Sequence, residues 1–429
     1  MSKYDPSKEY GRSGLNHYDG YVEEELLREL PESKKLKIYR EMENNPIISG
    51  LLAAYSGVIS QVKWRTDIGK GGSEEDAEFV ESCRHDMSSS WQETISSIMP
   101  MLRDGFYYSE VIYKKRMGPL QKDTGKRSRY NDGKWGWRKF AGRASETISP
   151  GGWVIDDNGG IKGVIQKAPP DYIDVFIPIE KSLLFRTTSA KNNPEGRALI
   201  RGSYEPWYYF RNISKMEGIG VERDLCGVPV FRVPANVLKA GQGDLGTGPD
   251  ALVYKKIYDT FKKMLTSFKR DEQDGVILSS EADDKGNFYY DFKLLASAGT
   301  RQFDTDKIVM RWGKLIALSV LADVLMMGLE NIGSMAMAKE KGSWLLMMIT
   351  GILDGIKDIL NRHAIPRLLE LNGMSLENPP TIEHGGCKNV DPRMFGDVMS
   401  KLQVAGFIEP DPKLNAYIRN ILGLPAEEV

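Results

Sequence analysis

Apolar residues recur along the chain with two different periods, and the changes of period mark out its elements. After a polar opening, Ile47, Ile48, Leu51, Leu52, Tyr55, Val58, Ile59 and Val62 fall three and four apart, the stripe of an amphipathic helix. Trp91, Ile95, Ile98, Met99 and Leu102 repeat that stripe and end at Gly105. From FYYSEVIYKK onward the period shortens towards that of strands. WVIDDNGGIKGVIQ predicts a hairpin, two β-rich arms around an Asn-Gly-Gly turn that tolerates positive φ. DVFIPI and SLLF predict two further short strands, so residues 1 to about 190 read as a mixed module, helices first and antiparallel strands later.

Beyond this module the helix signals strengthen. Asn193-Pro194-Glu195 supplies an N-cap, an N1 proline and a first-turn acid, predicting a helix through RALIRGSYEPWYYFRNISKMEGIG with a kink or break at Pro206. VPVFRVP predicts a short strand that Pro229 and Pro234 push to an edge, followed by a flexible GQGDLGTG. Pro249 and Asp250 open another helix, with Tyr254, Ile257, Tyr258, Phe261, Met264, Leu265 and Phe268 on one face. GVILSS and YYDFKLLAS predict a strand pair around EADDKGN. Asp304 caps an apolar helix over about 305–327, and a second long helix over about 338–371 ends at Asn372-Gly373. Two short helices close the pattern, one from Asp391-Pro392 to Gly406 and one from Asp411-Pro412 to Gly423. The fold class is α+β, with no solenoid repeat and no low-complexity tract.

One stretch breaks the pattern. MMGLENIGSMAMAKEKG, residues 326–342, separates two apolar, helix-friendly segments with glycines, one early acid and small side chains. Gly328 and Gly333 would each cost about 1 kcal/mol inside a helix. The stretch is either a helix–helix corner or a loop past which something must move.

Composition narrows the classes. With 429 residues the chain has room for two to four modules, and 41% hydrophobic and 27% charged residues describe a globular protein. A formal net charge of −1 gives no bulk attraction to nucleic acid or anionic membrane, so any such contact is local. The apolar run Leu315–Met327 falls about seven residues short of the ~20 that span a bilayer and contains Asp323, so a buried helix is expected and no membrane partner. The polar start lacks an apolar signal core, and Cys83, Cys226 and Cys387 are odd in number and far apart. Both features predict a non-secreted chain with reduced thiols.

Candidate chemistry is sparse. Gly241, Gly243 and Gly246 form GxGxxG ahead of a helix, but no strand delivers them and Thr-Gly-Pro separates them from the helix. From Lys114 to Arg143 the chain is basic, with Arg127, Arg129, Lys134 and Arg138 interleaved with Tyr130, Trp135, Trp137 and Phe140. That pattern fits nucleic-acid or neighbour contact through phosphate pairing and base stacking. A solvated hairpin whose aromatics pack back on the module fits it better. His17, His85, His363 and His384 are the only histidines and none has metal-motif spacing; His363 is expected to complement a helix C-terminus as a cation. No nucleophile motif and no metal-spaced carboxylate cluster occurs, so no catalytic residue, metal or cofactor is expected.

Several stretches together carry a family resemblance. They are IYREMENNPIISGLLAAYSGVISQVKW, DGFYYSEVIY, WVIDDNGGIKGVIQKAPPDYIDVFIPIEKSLLFR, PEGRALIRGSYEPWYYFRNI and DPRMFGDVMSKLQVAGFIEPD. In this order, over nearly the whole chain, they resemble a tailed-bacteriophage portal protein, the head-to-tail connector. The resemblance implies a wing at 1–192, a first stem helix at 193–222, a clip at 223–302 and a second stem helix at 303–327. It further implies a tunnel loop at 328–337, a wing helix and return at 338–384, and a short crown-like helical segment at 385–429, too short for a large crown barrel. The loop residues would be Gly328, Leu329, Glu330, Asn331, Ile332, Gly333, Ser334 and Met335, facing DNA. No lysine or arginine occurs between Lys314 and Lys339, which suits a low-friction surface. The implied partners are eleven further copies in a twelve-subunit ring, double-stranded DNA in its channel, and terminase, capsid or scaffold and tail adaptor proteins. The implied location is the virion's portal vertex, after assembly in the host cytoplasm. Two other readings stay open at this point: a nucleotide-utilising enzyme built on GQGDLG, and a scaffold protein that uses its apolar helices for partners.

Overall fold

The structure, a computed structural model, describes residues 13–69, 71–226, 228–246, 248–267, 288–295, 305–320 and 335–385. The chain divides into two compact units, residues 1–204 with 316–429, and residues 205–315.

The first unit opens with a small ribbon, β1 (His17–Tyr18) against β2 (Tyr21–Val22), then α1 (Glu32–Glu43) and α2 (Pro46–Gln61). The start of α2 has a local cause. Asn45 Oδ1 accepts from the N–H groups of Ile47 and Ile48 at 3.0 and 3.3 Å, and Pro46 sits where a missing donor costs nothing. Ile48, Leu51, Leu52, Tyr55 and Ile59 are buried, as the stripe predicts, whereas Val58 turns outward. After β3 (Trp64–Asp67) and α3 (Glu74–His85), the stripe from Trp91 to Leu102 forms two helices, α4 (Trp91–Ile98) and α5 (Pro100–Asp104). Pro100 has no N–H with which to continue α4. Gly105 then ends α5 at φ +94°, and a Cβ there would lie 2.5 Å from Glu195 O. Only glycine both turns and admits that neighbour.

Six strands follow: β4 (Phe106–Lys115), β5 (Trp135–Arg143), β6 (Ile148–Ile155), β7 (Ile161–Lys167), β8 (Asp174–Pro178) and β9 (Ser182–Arg186). They make two antiparallel sheets, β5-β4-β9 and β6-β7-β8. The expected hairpin is β6–β7, and its turn is held by Asp156 Oδ1, which accepts from Asn158 and Gly160 N–H groups at 3.0 and 2.6 Å. Phe106 and Tyr108 from β4 meet Trp153 edge to face at 5.3 and 6.2 Å, within a core that includes Val164, Ile177 and Leu184. Elsewhere in the unit Trp64, Trp91, Phe140 and Trp137 form a chain of edge-to-face contacts. Removing a large buried ring such as Trp137 typically costs about 3–5 kcal/mol.

The helix expected from Asn193 is not there. Asn193 Oδ1 accepts from Glu195 N–H at 2.9 Å and Gly196 has φ +55°, so the chain turns. Glu195, read as a first-turn acid, is buried instead; it pairs with Lys35 and accepts from Trp153 Nε1 at 3.2 Å. A 3-10 stretch, Leu199–Ser203, leads into α6 (Tyr204–Cys226). Pro206 falls in the first turn of α6, where no intrahelical donor is required, so it neither kinks nor breaks the helix.

The second unit holds most of α6, β10 (Val228–Arg232), α7 (Ala235–Gln242), α8 (Pro249–Ser267), β11 (Asp291–Leu295) and the first part of α9 (Thr305–Ser319). Phe231 packs on Phe261 and Phe292 with centroids 4.8 and 4.7 Å apart. The strand partner of DFKLL is VPVFR, with Pro229 opposite Leu294; the partner expected at GVILSS lies outside the described residues.

From Ile316 the chain belongs to the first unit again. α10 (Met335–Ile359) starts three residues before the expected 338, because Met335 to Lys339 are all good helix formers. A π-helical turn, Leu360–Ala364, joins it to α11 (Ile365–Leu371), which ends at Asn372 with Gly373 at φ +66°. Pro366 explains the wide turn, since it cannot donate to the preceding ladder. β12 (Thr381–His384) pairs with β3. The helices expected within 391–423 lie outside the described residues, as does residue 320's continuation to 327.

Candidate functional site

Of the proposed loop residues, Gly328, Leu329, Glu330, Asn331, Ile332, Gly333 and Ser334 lie outside the described residues, and Met335 is the first residue of α10 rather than part of a loop. The structure does describe both limbs that carry the segment 321–334. On the entering limb Ile316, Ala317 and Val320 are buried, and Ser203 Oγ meets Ser319 Oγ at 2.5 Å. On the leaving limb Ile349, Leu353 and Ile356 are buried. Tyr55 of α2 ties the two together. Its hydroxyl donates to Val320 O at 2.7 Å and lies 4.0 Å from Met348 Sδ. Burial pushes the Tyr55 phenol up to about 12, so it stays a donor across physiological pH. Tyr55 counted only as an apolar stripe position in sequence; its hydroxyl's partner lies 265 residues away.

The basic stretch sorts into two sets of cations. Lys114 and Arg116 are buried. Lys114 Nζ pairs with Asp86 at 3.1 Å, and it donates to the backbone oxygens of Asp86 and Arg127. Arg116 pairs with Asp132 at 3.0 Å, donates to Ser82 Oγ at 2.9 Å, and stacks on Tyr130 at 4.0 Å. Asp86, itself buried, also accepts from Ser128 Oγ at 2.7 Å and from Arg129 N–H at 2.9 Å. One carboxylate at the end of α3 therefore pins the β4–β5 connector.

The other set faces outward. Arg127, Arg129 and Lys134 are exposed; Arg127 Nε donates to Gln121 O at 3.0 Å, and Lys134 Nζ lies 4.7 Å over the Phe79 ring. Arg138 is half-buried, its guanidinium filling the space beside Gly125. Trp137 and Phe140 are buried in the core, so they are not stacking platforms; Tyr130 and Trp135 are partly exposed. Asp86, Ser128 and Phe79 carried no sequence signal, because their partners in β4 and the connector are set by the tertiary fold.

The remaining chemistry resolves simply. Gly241 lies inside α7 with its Cα against the Tyr258 ring, and Gly243 is the C-cap of α7 at φ +88°. GQGDLG is thus the last two residues of α7 and the start of its connection to α8, not a loop that leads a strand into a helix N-terminus. Its backbone donors are not aimed at a phosphate. His363 sits in the π turn, late in the helical run but before α11, and so not in the last turn. Burial lowers its pKa, and Arg367, Arg362 and Arg186 lower it further, so it is neutral at pH 7 rather than the expected cation. Burial also pushes the Cys83 thiol up to about 11, which makes it unreactive. Among the described residues no group of His, Cys, Asp and Glu could hold a metal, and no helix is long and apolar enough to cross a membrane.

Such a molecule, α+β in two units, has extensive packing and a cluster of structural ion pairs. The family model described as the portal protein of Mu bacteriophage matches residues 36–241 and 288–424, most of the chain, and the protein belongs to that family. No curated protein matches the sequence. Among solved structures it is similar to a chain in the neck of an empty gene transfer agent particle, with TM-score 0.52 and 12% identity over 92% of this chain and 94% of that one. A chain from the neck of the native particle, computed with C12 symmetry, gives TM-score 0.50 at 12% identity over 92% and 95%. At such identity these likenesses concern the fold.

Proposed function

We propose that the protein is the subunit of a closed ring, twelve copies around a central channel, set at one vertex of a phage capsid. Double-stranded DNA passes through the channel during packaging and ejection. The ring docks first the packaging motor and then the tail adaptor. Its role is structural rather than catalytic, and it resides in the virion after assembly in the host cytoplasm. The observation that carries this reading is the portal-family match across both halves of the chain.

Within it, residues 1–192 with 338–384 act as wing, α6 and α9 as stem helices, 223–302 as clip and 385–429 as a small crown. Residues 328–334 line the channel. Tyr55, which bridges the two limbs of that segment, supports a loop held at its roots. The exposed Arg127, Arg129 and Lys134, with the half-buried Arg138 beside them, are left for a neighbouring subunit or nucleic acid.

A mass measurement tests the ring. Twelve chains of 48.2 kDa give roughly 0.6 MDa with closed rotational symmetry, which negative-stain imaging and native mass spectrometry read directly. A chain that remains monomeric at every accessible concentration, with and without its capsid proteins, overturns the proposal.

A further inference from the structure

One cavity of the first unit has an unusual electrostatic character. It encloses about 300 Å³ between β9, the turn that precedes it, and the π turn with the start of α11. Arg186, His363 and Arg367 line it on the polar side; Ile161, Ile179, Leu184 and Ile359 line it on the apolar side. Among the described residues that line it there is no carboxylate. Both arginines are fixed by neutral partners. Arg186 donates to Asn192 Oδ1 at 3.1 Å and to Asn193 O at 3.0 Å. Arg367 donates to Ser182 O at 2.6 Å and to Ile179 O at 3.1 Å. Each guanidinium has five N–H donors and spends two on these neutral partners, which leaves donors over, and neither arginine has an ion pair among the described residues.

That arrangement is costly when empty. Burial lowers the pKa of the half-buried Arg186 and Arg367, and burial with the nearby arginines lowers that of His363, so the positive charge at this wall is the two guanidiniums'. The exposed Glu180 is the acid whose charge reaches Arg367, and it is not part of the lining. A π turn, an uncommon element that recurs at functional sites, contributes His363 to the wall and is followed within a turn by Arg367.

From this geometry we infer that the cavity binds a carboxylate side chain presented by an acidic segment of a partner protein, with an aliphatic neighbour of that carboxylate against Ile179, Leu184 and Ile359. Arginine forks match carboxylate geometry, and four aliphatic side chains favour a peptide over a bare, strongly hydrated ion. The cavity lies within one unit of one chain, so the proposal does not rest on ring formation.

The test uses the full-length protein and blocked tetrapeptides followed by calorimetry. Gly-Leu-Glu-Gly is expected to bind, and Gly-Leu-Gln-Gly to bind at least about tenfold more weakly, because charge-assisted hydrogen bonds are lost. Arg186→Gln is expected to weaken the Glu peptide by about ten- to a hundredfold, and Arg186→Lys by less. Affinity should rise as pH falls below the ordinary imidazole value of 6.5, since a bound carboxylate favours the protonated form of the otherwise neutral His363, and His363→Gln should flatten that dependence. Equal binding of both peptides, no binding of either, or an unchanged affinity in a folded Arg186→Gln variant overturns the proposal. Inorganic phosphate displacing the Glu peptide at equal or lower concentration also overturns it, in favour of a phosphate site. Should Arg186→Gln fail to fold, the flattened pH dependence of His363→Gln, on the exposed side of the cavity, decides.

Discussion

Asp86→Ala is the substitution on which the connector reading stands or falls. The carboxylate is buried and receives three donors: Ser128 Oγ at 2.7 Å, Arg129 N–H at 2.9 Å and Lys114 Nζ at 3.1 Å. Breaking a buried ion pair by removing one member costs about 3–5 kcal/mol, because the other charge is left without compensation. Lys114 keeps two backbone acceptors, Asp86 O and Arg127 O, so the lower end of that range applies, about 3 kcal/mol. Most of that cost falls on the 117–134 connector, which carries tryptic sites at Lys122, Lys126, Arg127, Arg129 and Lys134. Proteolysis of a reversibly opening segment tracks its open population, and about 3 kcal/mol enlarges that population by roughly two orders of magnitude. Trypsin followed by intact-mass spectrometry should show faster nicking there, while α2 and the β6–β7 hairpin remain intact. The double variant with Lys114→Met should be nicked more slowly than Asp86→Ala, since no stranded charge remains. A nicking rate for Asp86→Ala within twofold of wild type would falsify the view that this carboxylate organises the connector.

Three further expectations follow. Tyr55→Phe removes the bond to Val320 O and should lower stability by about 1 kcal/mol, while hydrogen exchange at residues 317–320 speeds up more than in β4; uniform exchange across both would argue against a local anchor. Glu25 is held below the usual carboxylate range by hydrogen bonding to Arg201, whose Nε donates to it at 2.9 Å. A depressed folded-state pKa stabilises the fold above the unfolded value near ~4.3 and loses that contribution as pH falls through the folded pKa. Acid unfolding of Glu25→Gln should therefore depend less on pH below that range than wild type, and identical profiles would remove the linkage. Replacing Glu330 and Ser334 with lysine should leave ring yield unchanged but slow DNA packaging, most at low salt, because cations around the channel would pair with phosphates. Wild-type packaging by intact double-lysine rings would refute the low-friction loop.

Where an element's cause lies within a few residues, it was legible. The stripe of α2, the turn at Asn158-Gly159-Gly160 and the stop at Asn372-Gly373 are local events, and each appears where the pattern put it. The errors share one cause. Asn193-Pro194-Glu195 has every local feature of a helix start, yet Glu195 is drawn inward by Lys35 and by the indole of Trp153, groups 160 and 42 residues away. His363 has a plausible place near a helix end, but Pro366 is absorbed by a π turn and the helix runs on, leaving the imidazole among arginines. The basic stretch shows the same split at the level of function. Its composition said that cations and aromatics are interleaved; only the fold says that Lys114, Arg116 and Trp137 are structural and that Arg127, Arg129 and Lys134 remain for solvent or a partner. Long-range pairing, not local propensity, decides which charges a surface keeps. The exposed cations of this connector are therefore the ones to vary when its partner is sought, and Asp86 is the residue that keeps them in place.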